Sequence, residues 1–295
     1  MMQIKGESEC RNGMYGVVGA EDELCDFEKV RDFGQPELSD CGESTEFGAQ
    51  AGRGCTSRTD YVRFSLIEGL REKQRLGVNP YSFGFIGSTD NHMASPGSVS
   101  EYGAPGKFTA TNDQLLAING QKRSPAFQNP GGLAGVWAEE NTRDSIFNAI
   151  KRRETFATSG PRIIPRFFSS WDSMENWCED PELISKAYGS GVPMGGNLEK
   201  NVLQTSPHFL VSATADPGTD EFPGGLLQEI QIIKSWLGTD DQFHYKVISV
   251  AGGKNNGASV DSATCKPIGR GEKALCGTWQ DPDFDPTLDA VYYSR

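Results

Sequence analysis

Asp90 and His92 stand one residue apart at the end of an apolar run, in Gly87-Ser88-Thr89-Asp90-Asn91-His92. Aspartate oxygen and histidine nitrogen are both good ligands for Zn²⁺, Mn²⁺ or Fe²⁺. At this spacing the two reach one ion if the strand pleat continues. The preceding Tyr81–Ile86 reads as a short buried strand, and ligands bind at the C-terminal ends of strands in parallel α/β folds. Gly87 and Ser88 are small enough to let backbones approach. Alone the pair is a weak signal, because a capping Asp beside a solvated His gives the same letters. Glu9 follows the strand-like Met2–Ile4 and is a candidate further ligand or substrate contact; a solvated loop glutamate beside Glu7 explains it equally well. Arg162 is a candidate anion binder or one half of a structural ion pair. Ser159 and Gly160 offer backbone N–H groups to a phosphate, or form a simple left-handed turn. Glu139 and Glu140 precede a helix start, where acidic residues are ordinarily stabilising, and are not read as ligands.

The elements that must hold these residues are partly legible. Thr59 or Asp60 is expected to cap a helix carrying Val62, Leu66 and Leu70, with Ile67 beside them. Gly77 ends that helix and Pro80 forbids its continuation. Leu133–Ala138 reads as a strand. Asn141 or Thr142 caps a second helix with Ile146, Phe147 and Ile150 on one face and Lys151, Arg152 and Arg153 in its last turn, where cations suit the helix dipole. After Pro165 the pattern changes. Ile163–Phe168, Phe209–Ala215, Leu226–Ile233 and Phe243–Val250 have strand length, and turn clusters separate them. In the third, Leu226, Gln228, Ile230 and Ile232 share one face, with Glu229 and Gln231 on the other. The expected fold is α/β over residues 1–164, with a long cystine-tied loop at 7–56, followed by a β-rich, sandwich-like domain at 165–295.

Charge and composition narrow the function. The formal net charge is 28 − 40 = −12 over 295 residues. That argues against a nucleic-acid binder, which neutralises phosphates with cations, and against docking on an anionic membrane. No apolar run approaches the ~18–20 residues of a membrane span. Seven cysteines without a C-x-x-C pair favour disulfides over a structural zinc site, and hence a periplasmic or extracellular location. Buried free thiols are the competing explanation. Cys10, Cys25, Cys41 and Cys55 crowd the first loop. Cys265 and Cys276 flank a short loop and read as a hairpin staple, which leaves Cys178 over. No signal peptide is visible. Both termini read as interrupted strands, so the chain is expected to be a fragment; a short C-terminal edge strand is the alternative for the last residues.

Several motifs resemble a known family. GFIGSTDNH at 84–92 resembles the last metal motif of the polymerase and histidinol phosphatase (PHP) superfamily, where a barrel strand ends in an Asp-x-His pair. GLAGVWAEENTRDSIFNAIKRRETFATSGPRI at 132–163 is more specific and is similar to an exported, bacterial PHP-like family, domain of unknown function 3604. GVPMGG at 191–196, WQDPDFDP at 279–286, QIKGESEC at 3–10 and DELCDFEKV at 22–30 fit the same family. The resemblance covers nearly the whole chain but only the latter half of a family member. It implies a metal-dependent hydrolase with a distorted α/β barrel and a β-rich C-terminal domain. In such enzymes metal ions activate a water and clamp a phosphate ester or a related small anionic substrate. Asp90 and His92 match the ligand pair. The superfamily's early His-x-His has no counterpart here, since no His precedes residue 92; His208 lies just before a β segment and His244 inside another, both as surface or packing residues. A divalent metal (Zn, Mn or Fe) is therefore expected in the complete protein, with weak or no binding and little activity in this chain. The alternative is a non-catalytic extracellular module that recognises glycan or protein through its β domain, with Trp171, Trp177, Trp236 and Trp279 as candidate platforms. Oligomeric state is not legible.

Overall fold

The computed structural model describes residues 2–3, 6–26, 39–43, 55–89, 131–201, 205–220, 223–261, 263–264 and 266–295. The protein is mostly β, with several sheets. Its strands are β1 (Met2–Gln3), β2 (Gly6–Glu7), β3 (Val17–Val18), β4 (Leu133–Val136), β5 (Thr155–Thr158), β6 (Ile164–Ser170), β7 (Val192–Pro193) and β8 (His208–Thr214). They continue with β9 (Glu229–Leu237), β10 (Phe243–Gly252), β11 (Ser259–Asp261), β12 (Lys266–Ile268), β13 (Ala274–Gln280) and β14 (Ala290–Ser294). The helices are α1 (Val62–Leu76), α2 (Arg143–Lys151) and α3 (Leu183–Ser190). The chain divides into two compact units. One comprises Met1–Gly135, Phe156–Gly160 and Leu237–His244; the other comprises Val136–Thr155, Pro161–Trp236 and Tyr245–Arg295.

In the first unit, α1 is the longest helix among the described residues. Ser57 opens the approach to it: its Oγ accepts the Thr59 N–H, and Asp60 accepts the Ser57 N–H at 3.0 Å. This capping box surrounds a 3-10 turn at Arg58–Asp60 rather than α1 itself, so the cap lies slightly upstream of the expected Thr59 or Asp60. α1 begins at Val62 with no side-chain cap. Its first N–H groups, on Val62 and Arg63, donate instead to the carbonyls of Ser8 and Glu9. The buried stripe is Phe64, Ile67 and Leu70, with Arg63 on the same side, while Val62 and Leu66 flank it half-buried. Gly77 ends the helix at φ 81, as its type allows. β3 pairs in parallel with the first residues of β10, Phe243 and His244. The guanidiniums of Arg58 and Arg71 lie 4.1 and 4.7 Å from the Phe243 ring centroid.

Two apolar segments differ from expectation. Tyr81–Ile86 forms no strand, and Phe83 and Ile86 are 54% and 53% exposed. Just beyond this stretch, Gly87 N–H donates to Leu133 and Gly132 N–H donates to Ser88. Residues 81–86 therefore have no described strand beside them to cover them. Helix α2 forms where expected, capped by Thr142. However, it buries Ala149 and leaves Phe147 and Ile150 exposed.

The second unit is built on strands close to the expected ones. β8 lies between β6 and β13, antiparallel to both, and β7 extends the sheet beyond β6. β9 lies between β14 and β10. Period-two alternation divides β8 and β6 between two cores. Phe167, Phe209, Val211 and Ala213 meet Ile230 and Ile232 of β9. On the opposite face, Phe168 and Leu210 meet Met174, Trp177 and Ala187. Phe209 is central to the first core, with ring centroids 4.4 Å from Tyr292, 5.6 Å from Trp279 and 5.7 Å from Phe167. Ile230 and Ile232 do share the core face of β9, but the strand runs on to Leu237 and its other face is buried too. There Gln231 accepts from Arg295 at 2.6 Å.

Cystines link Cys10 to Cys25, Cys41 to Cys55 and Cys178 to Cys276. The last overturns the expected Cys265–Cys276 staple and the spare Cys178. The hairpin that the staple assumed does not form, because β12 pairs with β11 rather than β13. Cys276 on β13 instead packs with Cys178 against the Phe168–Leu210 cluster. Cys265 lies outside the described residues. The Cys178–Cys276 bond spans 98 positions, against 14 for Cys41–Cys55, so it restricts the unfolded chain more. Replacing Cys178 and Cys276 by Ser is expected to cost about 2–5 kcal/mol in urea unfolding. The Cys41/Cys55 double variant should lose less, and equal midpoints for both variants and the parent would contradict this.

Candidate functional site

Glu9 is not a solvated loop residue. It follows β2 and lies against the first turn of α1, where Arg63 Nη2 donates to Glu9 Oε1 at 2.7 Å and to Asp22 Oδ2 at 2.9 Å. The Arg63 side chain has no exposed surface, and those of Glu9 and Asp22 are 11% and 3% exposed. Local chemistry holds the acids in place. Asn12 donates to the Asp22 carbonyl at 2.9 Å and accepts the Asp22 N–H at 3.0 Å. The Cys10–Cys25 bond ties the residue after Glu9 to the turn that Asp22 opens. Ligand atoms of Cys10, Asp22 and Cys25 lie within 4.8 Å of one another. This group does not fit a metal: a metal needs thiolates, these sulfurs are joined to each other, and Arg63 holds the acids.

Asp90 and His92 lie outside the described residues. The backbone leading to them is described as far as Thr89. At Gly87, a Cβ would sit 2.8 Å from the carbonyl oxygens of both Leu133 and Thr158. Gly131 faces Ser88 with φ 80. Only glycine allows this seat of Gly87–Ser88 against β4 and the end of β5.

The other candidates are spread out. Ser159 is exposed, and Gly160, at φ 126, donates its N–H to Thr158 Oγ1 at 3.2 Å. Arg162 is exposed, and its backbone N–H donates to Asp216 at 2.7 Å. Glu140 accepts from the Thr142 hydroxyl at the start of α2, in keeping with a capping role. His244 bonds Asp240 at 2.9 Å, and this bond lowers the Asp240 pKa. The four tryptophans read as candidate platforms each have neighbours in the fold. Trp177 is buried, Trp279 stacks on Phe209, and Trp171 donates to Glu199 and meets Phe284 edge-on. Lys234 Nζ lies 5.3 Å from the Trp236 ring centroid.

Two polar clusters went unread in the sequence. In the first, Glu154 is buried after the α2 turn. It accepts from the Tyr188 hydroxyl on one oxygen and from Arg152 at 3.2 Å on the other. Arg166 donates to Tyr188 Oη at 2.8 Å, and its guanidinium lies 3.2 Å from the Trp137 ring centroid. Trp137 donates to the Pro165 carbonyl, and Arg153 to that of Gly195 in GVPMGG. Burial, then the hydrogen bond to Glu154 and its charge, push the Tyr188 pKa up to about 12. An arginine inside the apolar strand sequence Ile164–Ser170 was the available signal. In the second cluster, Lys234 of β9 donates to Asp281 at 2.6 Å and to the Asp283 carbonyl at 2.8 Å. Tyr292 donates to the same Asp281 oxygen at 2.7 Å. Burial, with that carboxylate, raises the Tyr292 pKa strongly. WQDPDFDP is thus built around a buried ion pair.

Fold and site together define a disulfide-linked, mostly β protein, with no described helix long and apolar enough to cross a membrane. The chain belongs to a family described as protein of unknown function (DUF3604), whose model matches residues 1–295. No curated protein matches it, and no solved structure does.

Replacing Arg63 with Met leaves two buried carboxylates without their cation and is expected to cost about 3–5 kcal/mol in urea unfolding. A loss below ~1 kcal/mol, the range of exposed pairs, would contradict the burial. Tyr188 makes a pH prediction. Its folded pKa is raised from 10.0 to about 12, so its contribution is complete below pH 10 and is lost as pH rises through about 12. The difference in urea midpoint between the parent and Tyr188→Phe should shrink across that window. A constant difference would contradict it.

Proposed function

We propose that the chain is part of an exported metal-dependent hydrolase acting on a phosphate ester or a related small anionic ester. The observation carrying this reading is the glycine-dependent seat of Gly87–Ser88 against Leu133 and Thr158. It gives a firm base to the two strongest motifs of the PHP-like resemblance, GFIGSTDNH and the 132–163 run, where they meet. Three disulfides with no described membrane-spanning helix are consistent with a periplasmic or extracellular location. A distorted α/β barrel continued by a sandwich-like β domain belongs to the same proposal.

Asp90 and His92 would hold the metal, which is Zn²⁺, Mn²⁺ or Fe²⁺ by donor type. When bound, such an ion lowers the pKa of a water and stabilises developing negative charge. Glu9 is left out of the proposed ligand set because Arg63 already holds one of its oxygens. His208 starts β8 and His244 is bonded to Asp240, so neither is read as a ligand. The remaining ligands are proposed to come from sequence outside these 295 residues.

Calorimetric titration of Zn²⁺ and Mn²⁺ into the chain tests this. Binding weaker than micromolar is expected, abolished by Asp90→Ala or His92→Ala, with p-nitrophenyl phosphate hydrolysis near background. Submicromolar stoichiometric binding would overturn the incomplete site. Binding unchanged in both variants would remove the pair from the proposal.

A further inference from the structure

Arg152 pairs with Glu154, and Arg166 donates to Tyr188, whose hydroxyl bonds the same carboxylate, on a chain of net charge −12. Both carboxylate oxygens are taken, one by Tyr188 and one by Arg152. Among the described residues, Arg166 is paired with no carboxylate. Its guanidinium is nonetheless held firmly. The Trp137 ring lies 3.2 Å from it, and Nη1 is directed to Tyr188 Oη. Trp137 is itself anchored on Pro165, and Tyr188 packs edge-on against buried Phe168 at 5.0 Å. Among the described residues no acceptor meets the Nε–Nη2 edge of Arg166, and the residue is only half-buried. A fixed guanidinium with its side-on donor pair unused is the geometry that takes a carboxylate through two parallel hydrogen bonds. Little rotamer freedom is left to lose on binding, because stacking has already restricted it.

We propose that the Nε–Nη2 edge of Arg166 docks the carboxylate of a small organic acid. Glu154 sets the preference. Its charge lies one hydrogen bond beyond Tyr188, so it repels a phosphate dianion more than a singly charged carboxylate. Trp137 and Tyr188 offer apolar edges to the ligand's carbon skeleton. Trp137, Arg152 and Glu154 lie in the 132–163 run, but none of these residues is a proposed metal ligand, and the site stands or falls without the metal.

The test titrates sodium glucuronate, glucose and inorganic phosphate separately into the disulfide-bonded chain. Binding is followed by ¹⁵N NMR of arginine Nε–H and tryptophan Nε1–H signals. Saturable shifts at Arg166 and Trp137 are expected with glucuronate, none with glucose, and weaker binding with phosphate. Arg166→Lys should weaken glucuronate about tenfold, because an ammonium cannot form the planar pair. Glu154→Gln should narrow the preference over phosphate. No saturable shift in the parent chain, the same shifts with glucose, or tighter binding of phosphate than glucuronate would overturn the proposal, whether or not the variants fold. So would an Arg166→Lys chain that folds and binds glucuronate undiminished.

Discussion

A guanidinium with no exposed surface, held between two carboxylates, is the interaction on which the first unit depends. Arg63 sits in the first turn of α1, and its partners come from a segment with little regular structure. Removing an arginine from water is costly unless strong, well-aligned hydrogen bonds replace the lost hydration. Glu9 and Asp22 supply them. Because Arg63 also donates its backbone N–H to the Glu9 carbonyl, the same contact joins helix start to loop. The Cys10–Cys25 bond closes a 15-residue separation that contains Asp22 and begins one residue after Glu9, and it limits how far the unfolded loop can spread.

The second unit handles buried charge in the same way. Lys234 extends the inward face of β9 beyond Ile230 and Ile232, and Asp281 meets it there with Tyr292 on the same oxygen. Glu154 is likewise shared between a phenol and a guanidinium. In each cluster the tyrosine remains protonated because burial and an adjacent carboxylate both oppose the phenolate. The apolar cores explain why the sheets form; the polar clusters fix which side chains lie at their ends.

Much of the strand pattern was legible because β6, β8, β9 and β10 are apolar over strand length between turn residues. The C-cap at Gly77 and the Thr142 cap were legible for the same local reason. Three features were not. Nothing in the alternation shows that a 98-residue separation closes at Cys178–Cys276, because the choice depends on β12 pairing with β11. Glu9 beside Glu7 looks solvated until Arg63, 54 positions away, is brought to it by folding. Phe83 and Ile86 look like core from hydropathy alone, yet burial requires a neighbouring strand that pairing among the described residues does not supply. Asp90 and His92 were the strongest chemical signal in the sequence, and they lie beyond the described residues.

The roles of the acidic residues therefore divide: Glu9 and Asp22 serve the fold, whereas the proposed chemistry rests on Asp90 and His92. Anomalous diffraction at the zinc edge from crystals soaked in Zn²⁺ tests that division most directly. Zinc density is expected beside Asp90 and His92, with Glu9 and Asp22 still on Arg63 and Cys10–Cys25 intact. Zinc between Glu9, Asp22 and opened cysteines, with Arg63 displaced, would contradict it.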